Sequence, residues 1–349
     1  MRTLSLEEQI GQLILVGFNG LEGSPGSLII RQIRDYHLGG VWLTDREGPV
    51  AGHTGNIESP DQVRRLTVSL QANAAIPLFV AIDAEGGQII RLKPEYGFTV
   101  TIPAAELGKR NLPALTFDQA RSISQMLQSL GINFNFAPVL DLNTFPDNPA
   151  IGRKQRSFSE DPFIVIKHAL QVLYAQRQAG IMSAIKHFPG QGGARTDSHT
   201  GLVDVTGYWT SRDLEPFKHC IDAGLTDAVL SAHIYLRQFD AANPATFSPV
   251  IINGLLRHDM GYDGLIISDD LLMGAIRRFY SFEATVFATL SAGIDVLLIA
   301  QAAYEGEDYV QLTHAIIMDL IRQGRLTPDR ISRSFNRVMA LKQKYLMFK

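Results

Sequence analysis

"LFVAIDAEGG", residues 78–87, runs through five apolar residues without alternation and then stops at Asp83. A strand apolar on both sides must be covered on both sides, the situation of a parallel sheet clothed in helices. The same form recurs along the chain, giving strand candidates at 13–18, 40–44, 78–83, 133–142, 181–188, 228–236, 265–270 and 296–300. Between them lie stretches such as "SPDQVRRLTVSLQANA" (59–74) and "DPFIVIKHALQVLYAQRQAG" (161–180), with apolar residues three and four apart. Several open on Ser, Thr or Asp and close on Gly, the start and stop signals of helices. Eight β/α units in a chain of 349 residues are the expected size of an α/β (β/α)8 TIM barrel, read as a single catalytic domain over 1–349. A doubly wound sheet would place a G-x-G-x-x-G turn after the first strand, and "VGFNGLEGSPGS" (16–27) lacks that spacing. The last segment, "TPDRISRSFNRVMALKQKYLM" (327–347), reads as a closing helix.

Composition narrows the function classes. Hydrophobic residues make up 46% and charged residues 19%, enough to build a large core. A net charge of −3 gives no footprint for nucleic acid or an anionic membrane, so neither is expected as a partner. One cysteine, Cys220, excludes a disulfide framework and a cysteine-rich metal site; its helical neighbours mark it as a small buried hydrophobe. The start, "MRTLSLEEQIGQLILVGF", reads as a helix capped by Ser5, not as a signal or a bilayer span. A cytoplasmic monomer is the expectation, although a protein whose leader had been removed on export to the periplasm or medium would read identically.

Barrel enzymes carry their chemistry at the C-terminal ends of the strands. Five consecutive candidates end in titratable residues: "FVAIDAEGG", "FAPVLDLN", "SAIKHFPG", "LSAHIY" and "IISDDLLMG". Asp83, Asp141, Lys186, His187, His233, Asp269 and Asp270 are thereby expected at one mouth. One strand meeting solvent in a charge is unremarkable; five in a row describe a polar pocket, hence an enzyme. A metal-dependent amidohydrolase barrel would need His-x-His on its first strand, which here reads "QLILVGF", so no metal is expected. A Schiff-base lysine needs a desolvating pocket, whereas Lys186 would face Asp83, Asp141 and Asp269, which hold it charged. Acidic groups with a cationic lysine and arginines suit a neutral polyhydroxylated ligand. Glycoside hydrolysis needs a carboxylate nucleophile, for which Asp269 is suited, and a proton donor. In "KHFPGQGGARTDSH" (186–199), Asp197 and His199 lie two apart, so in an extended loop the carboxylate can orient the imidazole as that donor. The glycines of "PGQGGART" read as a flexible arm.

At these residues the chain resembles glycoside hydrolase family 3, and within it the single-domain bacterial β-N-acetylglucosaminidases of cell-wall recycling. The likeness runs through "LEEQIGQLILVGF", "LGGVWLT", "AIDAEGGQIIRL", "GINFNFAPVLDL", "RSFSEDP", "IKHFPGQGGARTDSH", "PATFSPVIINGLLRHDMGYDGLIISDDLLMGAI" and "AGIDVLL". The resemblance implies Asp269 as nucleophile, Asp270 as structural, His199 as acid/base with Asp197 its partner, and Asp83, Arg91, Arg156, Lys186 and His187 as sugar-binding residues. It implies a retaining hydrolase releasing terminal β-linked N-acetylglucosamine from muropeptides or chitooligosaccharides, without a cofactor. A β-glucosidase or phosphorylase of the same family, a metal-dependent amidohydrolase from a different class, and a non-catalytic sugar-binding barrel stand beside it as alternatives. One departure is notable. Where the family often reads IG-x-R-S-F, "IGRKQRSF" (151–158) holds three residues between Gly152 and Arg156, leaving Arg153 a rival of Arg156 for the sugar.

Overall fold

The computed structural model describes residues 4–45, 55–196, 201 and 203–347. Eight strands, β1 (Ile14–Gly17), β2 (Gly40–Leu43), β3 (Phe79–Ile82), β4 (Phe134–Asn135), β5 (Met182–Phe188), β6 (Ala228–Ser231), β7 (Leu265–Ile267) and β8 (Leu297–Ile299), pair in parallel in chain order. β1 also pairs with β8, and a bridge from Ile267 to Val296 brings β7 to β8, giving the (β/α)8 barrel. The helix starts follow from sequence: Ser5 and Glu8 form a reciprocal cap, and Ser59, Asp161 and Thr327 each cap a helix whose first residue is proline. Cys220 lies buried in helix Glu215–Asp222, where burial pushes its thiol up to about 12. No helix among the described residues is long and apolar enough to cross a membrane.

Two strands are shorter than their apolar runs. Over 133–142 only Phe134–Asn135 joins the sheet, because Pro138 has no N–H to give, and pairing resumes as one bridge from Val139 to Lys186. Over 228–236 the strand stops at Ser231; Ile234–Tyr235 pairs instead with Val203–Asp204, outside the barrel.

Alternation sorts the strand residues. Leu15, Phe79, Ala81, Phe134, Met182, Ala184, Leu230 and Leu298 fill the interior, while Ile14, Val16, Val80 and Ile82 pack outward under the helices. Phe134 meets Phe79 and Phe136 edge-on, each at 5.3 Å between ring centroids. The closing helix Pro328–Leu346 plugs the barrel's N-terminal end with Val338, Leu341 and Tyr345. Lys342 is wholly buried there, its Nζ donating to Gln12 Oε1 at 2.7 Å and to the Gly39 carbonyl at 2.8 Å, with the Phe79 ring 4.8 Å away. Burial pushes this amine well below the usual lysine range, and its two acceptors satisfy it where water is excluded. Lys342→Ala strands both acceptors and opens a cavity, so urea unfolding should show a loss of about 3–5 kcal/mol. Lys342→Met, which refills the space, should lose less.

Candidate active site

At the C-terminal ends of the strands lies a cavity of about 410 Å³. Asp83, Arg91, Arg156, Lys186, His187 and Asp269 all line it, so six of the eight residues expected in the site come together. Asp197 and His199 fall outside the described residues. The walls between are apolar, with Trp42, Phe136, Leu230 and Leu298 rising from the barrel interior. A cavity of this size with convergent polar groups on apolar walls suits a single sugar ring.

The floor is an ion-pair network. Lys186, near the end of β5, places Nζ 2.6 Å from Asp83 Oδ1 and 2.7 Å from Glu85 Oε1. Glu85 sits on the short antiparallel turn of Ala84–Gly86 with Ile89–Ile90 and accepts both Nε and Nη2 of Arg156, at 2.8 and 2.7 Å. Arg91, just after that turn, donates to Asp83 Oδ2 at 3.3 Å and reaches Asp45 at 3.6 Å. Burial alone would raise Asp83, but Lys186 and Arg91 beside it hold the carboxyl well below the usual range. Burial likewise opposes ionisation of Glu85, and the Arg156 and Lys186 charges override it, lowering it to about 2.

His187 is oriented from both sides. Arg156 Nη2 lies 3.2 Å from Nε2 and can only donate, so Nε2 accepts and the ring proton sits on Nδ1, 2.7 Å from Asp141 Oδ2. Asp141 also accepts the Gln191 backbone N–H at 2.8 Å. It is buried behind His187 and does not line the cavity, contrary to its expected place at the mouth; it pairs with His187, and the partners of Lys186 are Asp83 and Glu85. His233 likewise turns away, Nε2 donating to the Asp270 carbonyl at 2.9 Å and Nδ1 lying 2.9 Å from Thr246 Oγ1. Asp270 Oδ1 accepts the backbone N–H groups of Leu272 and Ala300, at 3.0 and 2.8 Å, and so braces the turn after β7. Asp269 is thereby presented to the cavity, its Oδ1 accepting only the adjacent Asp270 N–H at 2.9 Å among the bonds described.

The rival arginines separate cleanly. Arg156 is in the wall, whereas Arg153 is exposed, 3.8 Å from Asp147 and away from the cavity. Residues unforeseen from sequence also belong to the site, among them Glu85, the hidden anion of the floor, and Lys154 and Gln191, which line the cavity. Glu85 had a signal in its spacing of two from Asp83, the period that returns an extended chain to one side.

The arm after β5 is not loose as far as Thr196. Trp209 Nε1 holds the Pro189 carbonyl at 2.9 Å, and Asn148 Nδ2 holds those of Gln191 and Gly192 at 2.8 and 2.9 Å. A Cβ on Gly192 would sit 1.6 Å from the Leu142 carbonyl oxygen. Arg195 lies between the rings of Phe145 and Tyr208, 4.5 and 4.2 Å from their centroids.

Residues 5–341 match the glycosyl hydrolase family 3 N terminal domain. The chain belongs to glycoside hydrolase family 3. It is 35% identical over 312 residues to β-hexosaminidase A of Pseudoalteromonas piscicida, covering 83% of this chain and 52% of that protein. Its fold superposes with a TM-score of 0.89 on a family 3 β-N-acetylglucosaminidase from a Paenibacillus species, at 35% identity, covering 98% of this chain and 63% of that one. A β-N-acetylhexosaminidase from Beutenbergia cavernae gives 0.87 at 27% identity, covering 98% and 99%. The chain thus spans about half the length of the Pseudoalteromonas relative and less than two thirds of the Paenibacillus one.

The network sets an acid limit for this family 3 barrel. Asp83 and Glu85 bind fewer protons folded than unfolded, so their stabilisation is complete above the ordinary carboxyl range and is lost as pH falls below it. Denaturation midpoints should therefore drop steeply as pH falls from about 4.5 towards 2. Glu85→Gln should be less stable at neutral pH and show a shallower acid limb.

Proposed function

We propose that this chain is a retaining glycoside hydrolase that releases terminal β-linked N-acetylglucosamine, with the barrel over 1–349 as its catalytic domain. The observation that carries the reading is the isolation of Asp269. Asp83 is locked to Lys186 and Arg91, and Asp270 to two backbone amides, whereas Asp269 lines the cavity with only the adjacent Asp270 N–H donating to it among the bonds described. Asp269 attacks the anomeric carbon as the glycosidic bond breaks, and the His199 imidazole, oriented by Asp197, gives its proton to the departing oxygen. Water then enters with His199 as base, and the glycosyl–aspartate ester is cleaved with net retention. Asp83, Arg91, Arg156, Lys186 and His187 hold the ring hydroxyls and acetamido group in this reading. The family match and the names of the relatives support N-acetylglucosamine as the released sugar. Muropeptides and chitooligosaccharides are the proposed natural substrates.

Aryl N-acetyl-β-glucosaminides should be hydrolysed with retention, at the same rate with or without chelator and in phosphate as in a non-nucleophilic buffer. Aryl β-glucosides should be poor substrates. A 2-fluoro sugar trap should label Asp269, and Asp269→Ala should abolish turnover; a label on Asp83, Asp141 or Asp270 would overturn the assignment. His199→Ala should slow cleavage of sugar aglycones by about 10²–10⁴-fold, the usual worth of a positioned general acid, and glycosylation by a good phenolate leaving group far less. Asp197→Ala should give a milder version of that pattern. Equal losses for both substrates would make His199 a binding residue instead.

A further inference from the structure

Gln301, just past β8, lines the cavity yet is only 3% exposed, and its neighbours hold it in place. The N–H of Ala300 before it donates to Asp270 Oδ1 at 2.8 Å, and that of Ala302 after it to the Gly17 carbonyl at 2.6 Å. Asn19 Nδ2, from beyond β1, donates to Gln301 Oε1 at 3.1 Å. The carboxamide is thereby anchored through its oxygen, and among the bonds described its Nε2 donates to none. A donor held still without a protein acceptor is pre-organised for one that a ligand brings. Gly17 closes this flank of the cavity. A Cβ there would lie 2.1 Å from the Ala300 carbonyl oxygen and 3.2 Å from the Trp42 ring, so its absence lets Trp42 stand beside the end of β8.

Which acceptor it meets follows from the handedness of the barrel and of the sugar. Right-handed β/α crossovers make the strands run anticlockwise when the mouth is viewed from outside. In a barrel of eight, β3 and β7 are opposite, so Asp83 and Asp269 line opposite sides of the cavity. With Asp269 as nucleophile it lies beneath the anomeric carbon, and a β-linked aglycone leaves outward through the mouth. A D-pyranose seen from its β face numbers clockwise from C1 to C5. With C1 at β7, C2 and C3 therefore fall towards β6, β5 and β4, the flank of Lys186 and His187. C5 and its hydroxymethyl group fall towards β8, β1 and β2, the flank of Gln301 and Trp42. We infer that Gln301 is a specificity-determining residue whose Nε2 donates to the 6-hydroxyl of the terminal sugar. This rests on the hydrolase reading above.

The test compares 4-nitrophenyl N-acetyl-β-glucosaminide, its 6-deoxy analogue and 4-nitrophenyl β-glucoside. The wild type should prefer the first over the 6-deoxy compound in kcat/KM. Gln301→Leu should cut that preference about 3- to 10-fold, the usual worth of one neutral hydrogen bond. Gln301→Met, closer in shape, should do the same, so that either variant suffices if the other fails to fold. The preference for the N-acetylglucosaminide over the glucoside should be unchanged in both. A fall in that second preference instead places Gln301 beside C2 and overturns the assignment. Equal losses on every substrate, or a wild type indifferent to the missing 6-hydroxyl, overturn it too. If the wild type cleaves none of these glycosides, the hydrolase reading is what has failed. Calorimetric affinities of wild type and Gln301→Leu for N-acetylglucosamine and its 6-deoxy form then decide the Gln301 assignment, by the same ratio.

Discussion

A lysine shared between two buried carboxylates, with an arginine on each, holds this candidate site together. Lys186 comes from β5, Asp83 from the end of β3, Glu85 from the turn beyond it, and Arg156 from the segment after β4. Any one of these charges left alone in the interior would cost several kcal/mol, so none can withdraw without stranding its partners. The network therefore ties three neighbouring strand ends into one geometry. Its hydrogen bonds extend that order outward, since Arg156 fixes the face of His187, and His187 with Asp141 fixes the Gln191 amide.

The fold was legible because it rests on the coarsest signal a sequence has. Runs buried on both faces, spaced by amphipathic helices with capping residues, left little choice besides a parallel barrel. The site was legible where a residue's place depends only on ending a strand, as for Asp83, Lys186 and Asp269. Legibility failed where the direction of a side chain mattered. Asp141 and His233 end apolar runs just as Asp83 does, yet both turn behind the cavity, because Pro138 and the break after Ser231 stop their strands early. Lys154 could not be read from spacing at all, since its entry depends on the left-handed turn at Gln155. The acid–base pair 197–199 rests on sequence alone.

Glycines were the most misleading letters. A run such as "GQGG" suggests freedom, but a missing side chain also permits contact, and the two consequences are opposite. Here contact dominates as far as the described chain goes: Gly192 admits the Leu142 carbonyl into the space a Cβ would take, and Gly190, at φ 112°, packs against Asp213. Arg195 is gripped between Phe145 and Tyr208 at the end of this stem.

Five carboxylates near one cavity have five environments, and it is environment rather than residue type that separates their roles. Asp83 and Glu85 are spent on cations, Asp141 on orienting an imidazole, and Asp270 on two backbone amides. His233 supports the last of these from below by donating to the Asp270 carbonyl. The brace works in the direction a nucleophile needs. By pinning residue 270 at its side chain and its carbonyl, it fixes the backbone that carries Asp269 while leaving the Asp269 carboxylate facing the cavity. Two identical residues in sequence thus divide into a support and the proposed nucleophile, and the division follows from which backbone amides lie within reach of Asp270.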